Sequence, residues 1–109
     1  MLEMYAPDAV FDVSGVFTDV EPVQGHAAML SYWKELQETW GGGLRTDPIE
    51  VLDLGDGQYV LDVRMWGTGT RSGIEIDQRM AVLYTFRPDG LVTHARLFPD
   101  VAAALAAAS

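Results

Sequence analysis

Apolar residues recur along this chain with two different periods, and the switch between them divides it into a helical part and a sheet. Between Gly25 and Trp40, Met29, Trp33, Leu36 and Trp40 recur at spacings of four, three and four. That spacing stacks them in one stripe of a helix, with Tyr32 on its border. Lys34, Glu35, Gln37 and Glu38 fall on the other side, and Gly41-Gly42-Gly43 stands where a helix stops. Upstream, Tyr5-Ala6-Pro7-Asp8-Ala9-Val10-Phe11-Asp12 reads as the last turn of a helix broken at Pro7, leading into a short strand over Val10–Val13. Ser14–Gln24, with Gly15, Pro22 and scattered acids, reads as a loop.

Beyond the glycines the period becomes two. Leu44–Leu54 and Tyr59–Trp66 flank Gly55-Asp56-Gly57-Gln58, a hairpin turn. In the second strand Leu61, Val63 and Met65 face one way, and Asp62, Arg64 and Trp66 the other. Gly67–Gly73 is a glycine- and threonine-rich connection. Ile74–Phe86 then sets Ile74, Ile76, Met80, Val82, Tyr84 and Phe86 opposite Glu75, Asp77 and Arg79. Pro88-Asp89-Gly90 turns into a last strand, Leu91–Phe98, and Pro99-Asp100 opens a short alanine-rich helix over Val101–Ala108. The four long strands predict an antiparallel meander, with the helices on one side of a curved sheet. That is an α+β domain.

Composition narrows the possible chemistry more than it identifies it. At 109 residues the chain is one domain, 1–109, and half its residues are apolar, enough for one core. Sixteen acidic against seven basic residues give a net charge of −9, which opposes nucleic acid and anionic membrane as partners. There is no cysteine, so disulfides, thiolate metal sites and thiol nucleophiles are excluded. His26 and His94 are far apart in sequence, which speaks against a metal site. No stretch has the form of an export signal or reaches the length of a membrane span, so the expected location is cytoplasmic.

Several short motifs occur in a telling order: Tyr-Ala-Pro-Asp-Ala-Val-Phe-Asp, then Gly25-His26 opening the helix, Arg71-Ser72-Gly73-Ile74-Glu75-Ile76, and Asp89-Gly90-Leu91-Val92. Together, over Leu2 to Ala107, they resemble the SnoaL-like branch of the nuclear transport factor 2-like superfamily. The resemblance implies a cystatin-like cone, with a strongly curved, mainly antiparallel sheet wrapped around a long helix and a pocket at the wide end. Relatives include ketosteroid isomerases, polyketide cyclases, limonene epoxide hydrolases, scytalone dehydratase and non-catalytic binding domains, so the fold leaves the function open. Such domains usually begin with a full lid helix, of which only a final turn is expected here. Its body would lie upstream of Met1, or a partner chain would close the cone.

The resemblance places the inward residues of the last strand at His94, Arg96 and Phe98. Period-two grouping supports the set but does not choose its side. On hydrophobicity alone, Leu91, Thr93, Ala95 and Leu97 take the interior. If Arg96 is inside it needs a carboxylate, with Asp12 the nearest candidate, because an unpaired buried guanidinium costs several kcal/mol. His94 and Asp12 would then handle protons, Arg96 would orient an oxygen, and Trp33, Met80, Val82, Tyr84 and Phe98 would line the ligand site. The ketosteroid isomerase pattern fails, since its base and oxyanion carboxylates fall at Val13 and Val82. The epoxide hydrolase carboxylate falls at Arg96. The polyketide cyclase relation is the least contradicted.

Three functions are therefore expected to compete. The first is a cofactor-independent enzyme doing acid–base chemistry, of isomerase, cyclase or hydratase type, on a hydrophobic carbonyl-containing substrate. The second is a non-catalytic domain holding an apolar ligand with an anionic tip, and the third a dimerisation module with a filled cone. A homodimer is expected through the outer sheet face, where Asp62, Arg64, Trp66, Asp77 and Arg79 combine charges with an aromatic anchor. His26 reads as a contact at the helix start.

Overall fold

The computed structural model describes residues 2–16, 20–40, 45–68, 73 and 75–108, with the backbone alone at residues 2, 39 and 40. Gly41–Gly43, most of the Gly67–Gly73 connection, Ile74 and the Trp40 side chain lie outside the described residues. The strands are β1 (Tyr5–Asp12), β2 (Val23–Gln24), β3 (Arg45–Gly55), β4 (Gln58–Thr68), β5 (Glu75–Phe86) and β6 (Val92–Phe98). The helices are α1 (His26–Trp40) and α2 (Val101–Ala108). The strands form one six-stranded sheet in the order β2-β1-β6-β5-β4-β3, in which β3 to β6 are the antiparallel meander and β1 runs parallel to β6. The fold is α+β and cystatin-like, as the periodicities and the resemblance imply.

The N-terminal stretch differs from expectation. Among the described residues a 3-10 turn, Leu2–Met4, precedes β1, and the strand already begins at Tyr5. Pro7 sits inside it. A proline gives the sheet no N–H and pushes the residue before it into extended backbone. Accordingly, the ladder to β6 is interrupted between Tyr5 and Val10, with Pro7 exposed in the gap. The loop after β1 also contains a short strand, β2, which pairs Val23 with Phe11 and Gln24 with Val10.

At the β3–β4 turn, Asp56 and Gly57 have φ of 54° and 78°, as a tight two-residue hairpin requires. A Cβ at Gly57 would also stand 2.9 Å from the Phe86 carbonyl. The Phe86 N–H donates to the Gly57 carbonyl at 2.8 Å, so glycine lets the hairpin close against the end of β5.

The two helices lie on opposite faces of the sheet, which corrects the expectation that both share one side. α1 packs on the concave face, where Met29 is fully buried in a cluster with Tyr5, Ala6, Ala9, Val82, Val92 and Ala95. α2 packs on the convex face, where Ala104 meets Val60, Ala81 and Leu83, with Phe98 and Leu52 at the border. Asp100 starts α2, its Oδ1 accepting from the Ala103 N–H at 2.8 Å.

The rest of the convex face is charged. Arg64 and Arg79 stand directly opposite each other on β4 and β5, and each takes a carboxylate diagonally. Arg64 donates to both oxygens of Asp77, at 2.8 and 2.7 Å, and Arg79 pairs with Asp62. The Trp66 ring has guanidinium groups of Arg45 and Arg64 within 5.8 and 5.2 Å, and its Nε1 donates to Asp47. Because α2 takes the apolar half of this face, the surface left open there is the charged half around Trp66. No helix among the described residues is long and apolar enough to cross a membrane.

Candidate functional site

Between α1 and the concave face lies a cavity of about 500 Å³. Its sheet wall follows from strict alternation. β4 contributes Leu61, Val63 and Met65, and β5 contributes Ile76, Met80, Val82 and Tyr84. β1 adds Phe11, with Val13 just beyond its end, β6 adds Leu97 and β3 adds Thr46. From α1 come Tyr32, Trp33, Glu35 and Leu36. The aromatic members touch one another: Phe11 meets Tyr32 and Trp33 at ring distances of 5.9 and 6.1 Å, and Trp33 meets Tyr5 at 5.8 Å.

The residues expected to carry chemistry are not on this lining. His94 is exposed, and its Nδ1 lies 3.2 Å from the Thr93 hydroxyl. Arg96 lies over the Phe98 ring at 5.1 Å, and Phe98 packs beside the α2 cluster. All three belong to the convex face. Asp12 is indeed the register partner of Arg96, as Val10 is of His94, so the topology brings the expected set together on the wrong side of the sheet. Asp12 makes no ion pair there among the described residues. Its Oδ1 accepts from the N–H and hydroxyl of Ser14, at 2.9 and 2.6 Å. The physical reason is the rival set. Ala95 is fully buried in the concave core and Leu97 lines the cavity, which leaves Arg96 outside, where water and an aromatic face receive its charge.

Of the other expected residues, Trp33, Met80, Val82 and Tyr84 line the cavity, and Phe98 does not. His26 is half-buried at the start of α1, where its Nε2 donates to the Tyr5 carbonyl at 2.9 Å. Apart from Trp33, Met80, Val82 and Tyr84, the lining residues, Glu35 and Phe11 among them, were outside the expected set, as was Tyr5 beside the lining. Glu35 had been assigned to the polar face of α1, yet it stands three positions from Tyr32, and the two share one side of the cavity.

The titratable groups on the described lining are Tyr32, Glu35 and Tyr84. Burial raises the Tyr84 phenol above its ordinary value, and the Tyr5 hydroxyl partly offsets this. Tyr5 is raised strongly, first by burial and then by Tyr84. Tyr32 is raised by burial and then by the charge of Glu35.

These shifts give stability a pH dependence whose sign can be worked out. An unfolded tyrosine ionises near pH ~10, while buried Tyr5 keeps its proton to higher pH. Above that point the unfolded state holds fewer protons, so stability is intact below about pH 10 and falls as pH rises beyond it. The urea midpoint of the wild type is therefore expected to drop more steeply between about pH 10 and 11 than that of Tyr5→Phe, which lacks this ionisation.

Among solved structures, similarity extends to a cystatin-like protein of unknown function from Xanthomonas campestris, 17% identical, TM-score 0.76, covering 87% of this chain and 71% of that one. TerC, co-crystallised with polyporic acid, is 20% identical with a TM-score of 0.74, over 94% of this chain and 78% of its own. SalBIII, an epoxide hydrolase/cyclase-like enzyme of pyran ring formation in salinomycin, is 15% identical with a TM-score of 0.73, over 93% and 76%. At these identities the likeness is one of fold. No curated protein matches the sequence. The SnoaL-like domain family matches residues 1–95, and with the curved sheet, the enclosed helix and the cavity between them the chain belongs to that family.

Proposed function

We propose that this SnoaL-like domain binds a neutral, largely apolar small molecule in the concave cavity. The observation that carries the reading is the lining itself. Its volume, about 500 Å³, lies in the range of small-molecule sites, and its walls are aromatic on one side and aliphatic on the other. Among the described lining residues there is no Lys, Arg or His to pair with an anion. An anionic tip, expected when Arg96 was placed inside, therefore has no counter-charge there. The co-crystal of TerC with polyporic acid supports small-molecule binding by a domain of this fold.

Calorimetric titration with 2-acetylnaphthalene tests the reading. The double variant Leu36→Trp/Leu61→Trp narrows the space from helix and sheet together, and is expected to weaken binding at least ~10-fold. His94→Ala, on the other face, is expected to leave both affinity and stability unchanged within about 0.5 kcal/mol. Equal binding by wild type and the double variant, or loss of binding in His94→Ala, would refute the cavity as the site.

A second reading, proton transfer to and from the bound molecule, rests on one observation. Glu35 is the single carboxylate on the described lining. An enolisation would fall to it rather than to the His94, Asp12 and Arg96 set. Loss of the acetyl protons of the same ketone in D₂O, faster than in buffer and slowed in Glu35→Gln, would select catalysis over binding alone.

A further inference from the structure

We propose that Val51, on the edge strand β3, is a specificity residue that receives a linear alkyl tail of the bound molecule where it leaves the cavity and crosses the sheet. The proposal rests on the cavity being the ligand site. Its first support is a bulge. Pro48 stands opposite Val63 and Val51 opposite Leu61, a step of three residues on β3 and two on β4, so Ile49 is left out of the ladder. Side chains alternate along a strand, and one extra residue reverses the face that the following ones take. Without the bulge Val51 would share the convex face with Asp47. With it, Val51 joins Thr46 and Pro48 on the concave face, next to the cavity wall.

The second support is where β3 keeps its charge. Arg45, Asp47 and Glu50 stand opposite Trp66, Arg64 and Asp62, all on the convex face. The concave side of the same stretch carries Thr46, Pro48 and Val51, none of them charged. An edge strand open to water on that side is expected to hold charge there, as protection against unwanted pairing. Val51 is instead an apolar side chain, 61% exposed, and it is not isolated, because its neighbour Leu61 lines the cavity. The apolar wall therefore continues from Leu61 onto the sheet edge. Asp53, the next residue on that face, ends it, with its Oδ1 accepting from the Gly55 N–H at 2.9 Å.

Dimensions and charge select the occupant. Neighbouring strands lie about 4.8 Å apart, so the shelf beyond Leu61 is one strand wide. A single hydrocarbon chain fits that width, whereas a helix, about 10 Å across, would overhang it. A chain also turns about its single bonds and can follow the curved sheet out of the cavity, which a rigid ring system cannot. Glu35 on the lining and Asp53 at the far end both oppose an anionic end group. The ligand class is therefore a compact apolar head with a linear, uncharged alkyl tail.

Three ketones with the same head test it by calorimetry on the whole chain: 2-acetylnaphthalene, 2-hexanoylnaphthalene and the branched isomer of the latter, 2-naphthyl tert-pentyl ketone. Four methylenes on an open shelf, each about half as effective as when fully buried, are expected to make the linear ketone bind about 10-fold more tightly than the acetyl compound. The branched isomer has the same carbons without the reach, and is expected to gain about 2-fold or less. In Val51→Asp the linear-to-acetyl ratio is expected to fall to about two with acetyl binding unchanged. Val51→Thr, which keeps the β-branched shape, is expected to fall between. Leu105→Asp, at an exposed apolar residue of α2 on the other face, is expected to keep the wild-type ratio. A wild-type ratio near one, a ratio that survives in Val51→Asp, or a branched ketone that binds as tightly as the linear one overturns the proposal and leaves the cavity reading intact. Concentration-dependent light scattering of the wild type that Val51→Asp abolishes would assign the shelf to a second copy of the chain, and also overturns it. Binding of none of the three ketones by the wild type defeats the cavity reading, and this inference with it.

Discussion

Met29→Ala is expected to lower stability by about 3 kcal/mol and to abolish binding in the concave cavity at ordinary ligand concentrations. Met29 is fully buried and is the residue by which α1 enters the concave core, touching the cluster built from β1, β5 and β6. Truncating it loses transfer energy and leaves a space that the neighbouring alanines, Ala6, Ala9 and Ala95, are too short to fill. A domain of this size is stable by about 5–15 kcal/mol, so the loss is a large fraction of the whole. The consequence for binding follows from the helix. Trp33 and Leu36 stand four and seven positions further along α1, and their place on the lining depends on the seat that Met29 provides. Urea unfolding followed by circular dichroism gives the first effect, and titration with 2-acetylnaphthalene the second. A shift below about 1 kcal/mol with binding retained would show that α1 is held from elsewhere.

Most of the fold could be read from the sequence because it rests on periodicity. Leu61, Val63 and Met65 share a face because strands alternate, and Met29, Trp33 and Leu36 share one because helices repeat, whatever surrounds them. What alternation does not supply is the side. For β6 it gave two sets of opposite parity, and the choice fell to the cost of burying Arg96 without a carboxylate. Asp12 stands beside Arg96 on the same face, yet its Oδ1 accepts from Ser14 and it makes no ion pair with Arg96 among the described residues. The resemblance pointed to the polar set, and the energetics of burial decided for Ala95 and Leu97.

Two further differences have local causes. Pro7 was taken as the end of a helix, yet its effect on the preceding residue favours extended backbone, and Tyr5 was lost from the candidate site with that reading. Glu35 was counted on the polar side of α1 because it falls opposite the Met29–Trp33–Leu36 stripe. It is exposed, but the cavity is open on its side, so exposure and membership of the lining are compatible. The position of α2 had no signal of its own. A helix of eight apolar residues, six of them alanine, has no polar face to turn away, and only the matching apolar patch of Val60, Ala81 and Leu83 selects the convex side.

That patch makes Ala104→Glu the second large effect. Ala104 is fully buried between α2 and the sheet, against Val60, Ala81 and Leu83. A carboxylate there would have no cation within its own cluster, and burying it unpaired costs more than the helix gains by docking. The helix is therefore expected to detach rather than hold the charge, which limits the loss to the docking energy, about 2–3 kcal/mol from the apolar area uncovered. Ala102→Glu, on the exposed side of the same helix, is the matched control and is expected to stay within about 0.5 kcal/mol of wild type. Detachment also changes what the convex face presents. Val60, Leu83 and Phe98 become an exposed apolar patch beside the Arg64–Asp77 and Arg79–Asp62 pairs, a surface suited to a second copy of the chain. Light scattering on Ala104→Glu is expected to show concentration-dependent association that Ala102→Glu lacks. A stable Ala104→Glu that scatters like its control would mean that α2 contributes little to covering that face.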